Sequence, residues 1–295
     1  MTPTEGRSRA CIYQEPHLPF GAMGVAWPHS AAHWRPRHCH RELELNLVTR
    51  GRGRFALDGG EHELGPGELL WFLPYTAHEL VSVTADFDMW VMAFRPDLVE
   101  RLESAAGSFD RAWSAYRSPS AQLEAAAFRW LDGALRSAFQ LLCSGRAPDP
   151  ALMARVLCRA SSETAHARGQ SGAQLHSVAR RARRALSTEP WLSRSTLAAR
   201  LSVSESTVAH VFRRDLGVTL DEYRNRVRVG RLFQVVDDRP TSLLDAALAA
   251  GFGSAAQYHR CVRALADCRP SELRSPAIRR ALSERVRDPR PRSAD

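Results

Sequence analysis

Two segments near the end of the chain repeat one local logic, and no other feature limits the fold as tightly. In residues 195–217 (STLAARLSVSESTVAHVFRRDLG), Ser195 or Thr196 can cap a helix carrying Leu197, Ala198 and Leu201. A turn at Ser202-Val203 follows. Ser204 then caps a second helix, with Glu205 at its first position and Val208, Val211 and Phe212 turned inward. Residues 242–267 (SLLDAALAAGFGSAAQYHRCVRALAD) do the same, with Ala247 at the helix crossing, Gly251 in the turn, Ser254 as the cap, and Tyr258 and Val262 buried. Residues 219–238 between them read as one helix long enough to hold the two units apart. Two helix-turn-helix units in one rigid body can enter successive major grooves, roughly 34 Å apart.

Charge supports a polyanionic partner for this half alone. Residues 1–100 hold 9 Arg and 13 Asp+Glu, whereas residues 177–274 hold 17 Arg and 10 Asp+Glu. A merely solvated basic surface is the competing explanation, since all 41 basic residues are arginine. No apolar run approaches the roughly 18–20 residues that a membrane helix needs, and no apolar segment follows the basic N-terminus. The expectation is a cytoplasmic protein with no membrane partner. The six cysteines are scattered without a CxxC pair, which predicts thiols rather than disulfides or a zinc cluster.

The first part has a different rhythm. Between about 38 and 94, Leu43, Leu45 and Leu47 alternate with polar neighbours. Glycine turns recur at 51–53, 58–60 and 65–67, predicting closely spaced strands of a barrel or sandwich. Residues 121–142 carry apolar residues at helical spacing. Ala147-Pro148-Asp149-Pro150 then breaks the chain, and Asp149 or Pro150 can start a second helix reaching about 167. Residues 167–174 read as a linker, and the charged, Pro-rich tail reads as disordered.

The C-terminal motifs resemble the DNA-binding domain of the AraC/XylS family of transcription regulators. The resemblance covers about 98 residues. It rests on LAARLSVS, VFRRDLGVT followed by Tyr223, Arg228 in the connecting helix, and the spacing of Gly251-Phe252, Ser254, Tyr258, Pro270 and Arg274. The sequence departs from the family at Leu220 (commonly Pro), Val262 (usually Phe) and Asp267 (usually Gly). In the first recognition helix the exposed faces offer Glu205, Ser206, Thr207, His210 and Arg213. In the second they offer Ser254, Ala255, Gln257, His259, Arg260 and Arg263. Glu205 can accept from a cytosine amine and Gln257 can read adenine. Arg213, Arg214 and Arg263 suit phosphates, which position without specifying.

A second resemblance covers the first part. His38-x-His40-x3-Glu44-x6-Gly51 is similar to the first motif of the cupin family. Pro66-Gly67, Pro74 and His78 follow its second motif, with departures at Ala32 and around Tyr75. The resemblance implies a barrel in which His38, His40 and Glu44 project inward from one strand and His78 joins from another. Three imidazoles and a carboxylate suit a divalent transition metal. A metal-free effector pocket and plain packing are the other two readings. Trp71, Trp90, Phe72, Met89 and Met92 are candidates to line that pocket.

The expected fold class is therefore α+β. A cupin-like β-barrel (1–100) precedes a helical linker with a possible dimerisation role (101–175), an all-α double helix-turn-helix domain (176–275) and a tail (276–295). The expected function is an effector-responsive regulator of promoter DNA. Resemblance alone suggests an activator that meets RNA polymerase, working as a homodimer. The rival reading is a metal-dependent cupin enzyme, an oxygenase or isomerase, with a helical appendage. It leaves about a third of the chain unexplained.

Overall fold

The computed structural model describes residues 11–14, 16, 18, 19, 22–30, 36–106, 120–168, 176–238, 242–266, 268–275 and 277. The expected tail apart from Ala277, residues 169–174 of the stretch 167–174 read as a linker, Ala32 and Asp267 lie outside these.

Ten short strands come first: β1 (Ile12–Tyr13), β2 (Gly24–Ser30), β3 (His38–Cys39), β4 (Leu43–Arg50), β5 (Gly53–Leu57), β6 (Gly60–Leu64), β7 (Glu68–Phe72), β8 (His78–Val83), β9 (Asp88–Phe94) and β10 (Ser120–Gln122). They form two five-stranded sheets, ordered β1-β3-β8-β5-β6 and β10-β7-β4-β9-β2. Only the β1–β3 pairing is parallel among the described strands. The expected barrel is thus realised as two facing sheets. It extends past residue 100, because β10 pairs with β7.

Strand parity decides what lies between the sheets. Val48, Phe55, Phe72, Leu80, Met89 and Val91 form the apolar cluster inside. Leu43, Leu45, Leu47, Trp71, Trp90 and Met92 point the opposite way. That outer face is covered by α2 (Ala125–Cys143) and α3 (Pro150–Arg168), through Leu131, Leu135, Met153 and Leu157. Each indole N–H finds a helix partner, Trp71 donating to Thr164 Oγ1 at 2.9 Å and Trp90 to Asp132 Oδ1 at 2.8 Å. Of the five residues expected to line a pocket, Phe72 and Met89 do so. Trp71, Trp90 and Met92 instead fill the seam under the helices. The apolar stripe of an alternating strand seeks the drier neighbour, here the helix layer. A helix absent from the sequence reading, α1 (Pro96–Ala106), follows β9.

The C-terminal half is helical: α4 (Ser177–Thr188), α5 (Arg194–Leu201), α6 (Glu205–Leu216), α7 (Leu220–Asp238), α8 (Leu243–Ala249) and α9 (Ala255–Ala266), then a 3₁₀ turn at Pro270–Arg274. Caps define the two helix-turn-helix units. Ser204 Oγ accepts from Thr207 N at 3.1 Å and Ser254 Oγ from Gln257 N at 3.2 Å, as expected. The cap of α5 is Ser193, whose Oγ accepts from Thr196 N at 3.0 Å, rather than Ser195 or Thr196. Ser193 adopts the extended backbone that a cap requires, and Arg194 already begins the helix. Gly217 (φ 69°) and Gly251 (φ 95°) supply the left-handed residues that end α6 and turn between α8 and α9. The departures Leu220 and Val262 are both buried in the shared core.

No described helix is long and apolar enough to cross a membrane. None of the six cysteines forms a disulfide.

Candidate functional site

The two sheets bring His38, His40, Glu44 and His78 together, all almost fully buried. They come from three strands and a corner rather than from one strand and a partner. His38 lies on β3, His40 at the corner after it, Glu44 on β4, and His78 on β8 directly opposite His38 in the ladder. Parity explains the gathering: Glu44 and Asn46 occupy the inward face of β4, whose leucines face out.

Each imidazole is anchored through Nδ1 to a backbone carbonyl. His38 bonds Pro36 at 2.8 Å, His40 bonds Glu42 at 3.2 Å and His78 bonds Thr76 at 3.0 Å. A carbonyl only accepts, so each Nδ1 carries the proton and each Nε2 is turned toward the others. The ligand atoms of the three histidines lie within 4.8 Å of one another. His40 Nε2–H donates to Glu44 Oε2 at 3.0 Å, a proton whose place a bound cation would take, and His78 Nε2 lies 4.0 Å from the same oxygen. Asn46 Nδ2 donates to Glu44 Oε1 at 3.0 Å. Burial opposes the charge on Glu44, but the hydrogen bond from His40 and the adjacent imidazoles outweigh it and hold its pKa well below the usual carboxylate range. Burial pushes the pKa of His78 down to about 4, so its ring is neutral at pH 7 and Nε2 presents a lone pair. Neither His78 Nε2 nor Asn46 Oδ1 has a hydrogen-bond partner among the described residues. Two buried electron-pair donors of this kind fit a cation, and the fixed Nδ1 bonds are the outer support that metal-binding histidines use.

The adjoining cavity measures about 50 Å³ and is lined by Trp27, His29, Phe55, Phe72, Leu80 and Met89 alongside the polar set. Pockets for drug-sized ligands run roughly 300–1,000 Å³. In this conformation the interior therefore takes an ion or a ligand of a few atoms.

The residues expected to meet DNA stand on the outer faces of α6 and α9. Glu205, Ser206, Thr207, His210, Arg213, Arg214, Ser254, Ala255, His259, Arg260 and Arg263 are exposed, and Gln257 is half-buried. Several have local duties. Gln257 Oε1 accepts from Gly253 N at 3.0 Å, completing a reciprocal cap with Ser254, which competes with adenine reading. Ser206 and Thr207 share their hydroxyls with Ser204. Arg214 pairs with the buried Asp215, which also accepts from His176 N at 2.7 Å and ties α4 to α6.

Sequence reasoning missed the joint between the halves. Asp58, in the β5–β6 turn, accepts from both Nη atoms of Arg226 on α7, from Arg37 at 3.0 Å and from Ala77 N at 2.8 Å. Arg226 Nη1 also donates to the Tyr75 carbonyl at 3.0 Å, and Tyr75 N donates to the His40 carbonyl at 2.7 Å. Tyr75 sits in the left-handed region (φ 64°), with its ring against Tyr223 at 6.0 Å between centroids. A turn of Leu73–His78 thus touches the histidine cluster at one end and α7 at the other. The Asp58-Gly59-Gly60 turn signalled only a hairpin, and nothing in local pattern pairs Asp58 with a residue so far along the chain.

A family model of the AraC-like ligand binding domain matches residues 26–149, and a helix-turn-helix domain model matches residues 197–275. No curated protein matches the chain in sequence. Among solved structures, ToxT from Vibrio cholerae O395 is 9% identical, with 84% of this chain and 95% of that chain covered and a TM-score of 0.50. Wild-type ToxT from V. cholerae strain SCE256, solved with a bound unsaturated fatty acid, is likewise 9% identical, with 84% and 93% covered and a TM-score of 0.50. These likenesses are of fold. Together the family matches span more than half of the chain, joining a sensing domain to a DNA-binding one.

Proposed function

We propose, for a chain that belongs to the AraC family of transcription regulators, that the histidine cluster between its sheets is the sensor and a divalent transition metal its occupant. The protein is a ligand-sensing, DNA-binding regulator. One observation carries the metal occupancy: the unpartnered, buried His78 Nε2 and Asn46 Oδ1 beside two more Nε2 atoms and a carboxylate. His38, His40, His78 and Glu44 would hold the ion. When bound, it supplies positive charge that fixes four side chains from three chain segments. The chain's own residues do the rest. Pro36, Glu42 and Thr76 carbonyls aim the imidazoles, Phe72 stacks on His78 at 4.2 Å between centroids, and the apolar lining keeps water out. Tyr75 and Asp58 pass any shift of the Leu73–His78 turn to Arg226 on the connecting helix.

The metalloenzyme alternative needs room for a substrate beside the ion, and the cavity of about 50 Å³ limits any such substrate to a few atoms. We assign the expected boundaries 1–100, 101–175 and 176–275 to sensing, linking and DNA binding, with the sensing unit extended by β10. Family membership points to RNA polymerase as a partner and to a homodimer. A dimer formed through α2 and α3 would use their outer faces, since their inner faces cover the sheet.

Elemental analysis of the purified chain tests the sensor. About one zinc, nickel, iron or copper per chain is expected, lost in His78→Ala and in a His38→Ala/His40→Ala double variant. A gel shift with the upstream intergenic region, with and without chelator over a salt series, tests the output. Metal-free protein whose DNA affinity ignores both chelator and added metal sinks the metal reading. Absence of DNA binding at low salt sinks the regulator itself.

A further inference from the structure

The face of α7 opposite Arg226 holds an arrangement that neither the histidine sensor nor the two recognition helices uses. Arg224 and Arg228 lie one helical turn apart, 7% and 8% exposed. Arg224 Nη1 donates to Asp221 Oδ1 at 2.7 Å, but its Nε and Nη2 find no acceptor among the described residues. Arg228 makes one long contact, to Asn225 Oδ1 at 3.5 Å. Its guanidinium lies 5.9 Å from the Phe252 ring centroid, and its Nε also lacks an acceptor. Asp221 is shared with Arg194, the first residue of α5. Two guanidiniums therefore share a single carboxylate, and Arg228, one turn further along, has no carboxylate within ion-pair distance among the described residues.

Such a cluster is unfavourable in the isolated protein. Burial first, and then like charge from Arg194 on Arg224 and from Arg224 on Arg228, lowers the pKa of both buried arginines. Arginine keeps its proton regardless, so what is missing is an anion. The position says which one. Arg194 feels the charge of Glu205, the first residue of recognition helix α6. Arg228 lies against Phe252, in the turn just before recognition helix α9. The cluster thus spans the gap between the ends of the two helices that meet DNA.

We propose that Arg224 and Arg228, flanked by Arg194, form a seat for a DNA backbone phosphate where the duplex passes between its two major-groove contacts. The planar guanidinium fork matches phosphate oxygens. Both side chains lie just beneath the surface, and turning their unpaired N–H groups outward relieves the cost of leaving them without acceptors. The contact positions the protein on DNA and reads no base.

The test uses the full-length chain, a random-sequence duplex and a duplex from the upstream intergenic region. Affinity is measured against salt, and thermal melting in parallel. Arg228→Gln and Arg224→Gln are each expected to weaken both duplexes about ten-fold. The slope of log affinity against log salt should fall by about 0.9 for each phosphate lost. Arg228→Lys should restore the slope with only part of the affinity. Arg228→Met, which fills the space without charge, should melt no lower than the wild type yet bind as weakly as the Gln variant. A wild-type salt slope in the Gln and Met variants overturns the proposal. So does a fall in melting temperature with the slope unchanged, because the arginines then only pack. If a Gln variant fails to fold, the Met and Lys pair decides in the same way.

Discussion

At the scale of single residues, Asp58 concentrates the most consequence. It is buried and holds Arg226, Arg37 and the Ala77 amide together. Removing one partner of a buried ion pair leaves the other charge stranded, at a cost of roughly 3–5 kcal/mol. Asp58→Asn keeps the shape and removes the charge, so thermal or denaturant melting should show a loss within that range. Adding Arg226→Gln should cost far less than a second such loss, since the stranded charge is gone. Strict additivity of the two changes would show that the pair is not coupled. Tyr75 is the other residue of note. A tyrosine at φ 64° costs about 1–2 kcal/mol relative to glycine, a strain offset by its buried ring and by its carbonyl on Arg226.

Among the elements, α7 starts on a capping box. Thr219 N and Oγ1 both donate to Glu222 Oε2, at 2.9 and 2.7 Å, and Glu222 N donates to Thr219 Oγ1 at 3.2 Å. Burial opposes the Glu222 charge, but these bonds win and lower its pKa. A carboxylate depressed in the folded state adds stability above its unfolded pKa, about 4.3. That stability is lost as pH falls through the lower folded value. Glu222→Gln should therefore flatten the acid limb of the stability–pH profile below about pH 4 and leave the neutral region less stable. An unchanged acid limb would remove Glu222 from the account. The helical half was legible because a period of 3.6, serine caps and glycine stops are local signals that agree with one another. Ser193 was missed because three hydroxyl residues (193, 195 and 196) cluster at one helix start and pattern cannot choose among them. The sheets were legible as strands, with Glu44 expected inward as found, but Trp71, Trp90 and Met92 were placed on the wrong face. Alternation along β4 separates the leucines from Glu44 and Asn46 without saying which set looks at the partner sheet. The helices α2 and α3, distant in sequence, decided that. The four polar residues of the cluster were readable from the resemblance to the two cupin motifs; the carbonyls that aim them were not, since any backbone carries carbonyls.

For the whole molecule, the two halves meet on α7 at Gly230. A Cβ there would lie 2.8 Å from Tyr13 Oη and 2.9 Å from Tyr75 Cε1. Glycine inside a helix normally costs about 1 kcal/mol relative to alanine, so Gly230→Ala should favour the helix itself. It should also push the barrel away. The expected result is unchanged helix content, faster proteolysis between the halves, and DNA binding that no longer responds to chelator or metal. A variant that keeps its response would show that this contact carries no signal. The same few residues, Leu73–His78, serve two masters: His78 belongs to the sensor, while Tyr75 and the Ala77 amide belong to the joint. A change in that turn that alters which ligand is recognised also alters how firmly the DNA-binding half is held. Selectivity and responsiveness are thus inherited together, and a lineage moving toward a new signal must cross intermediates in which both have shifted at once.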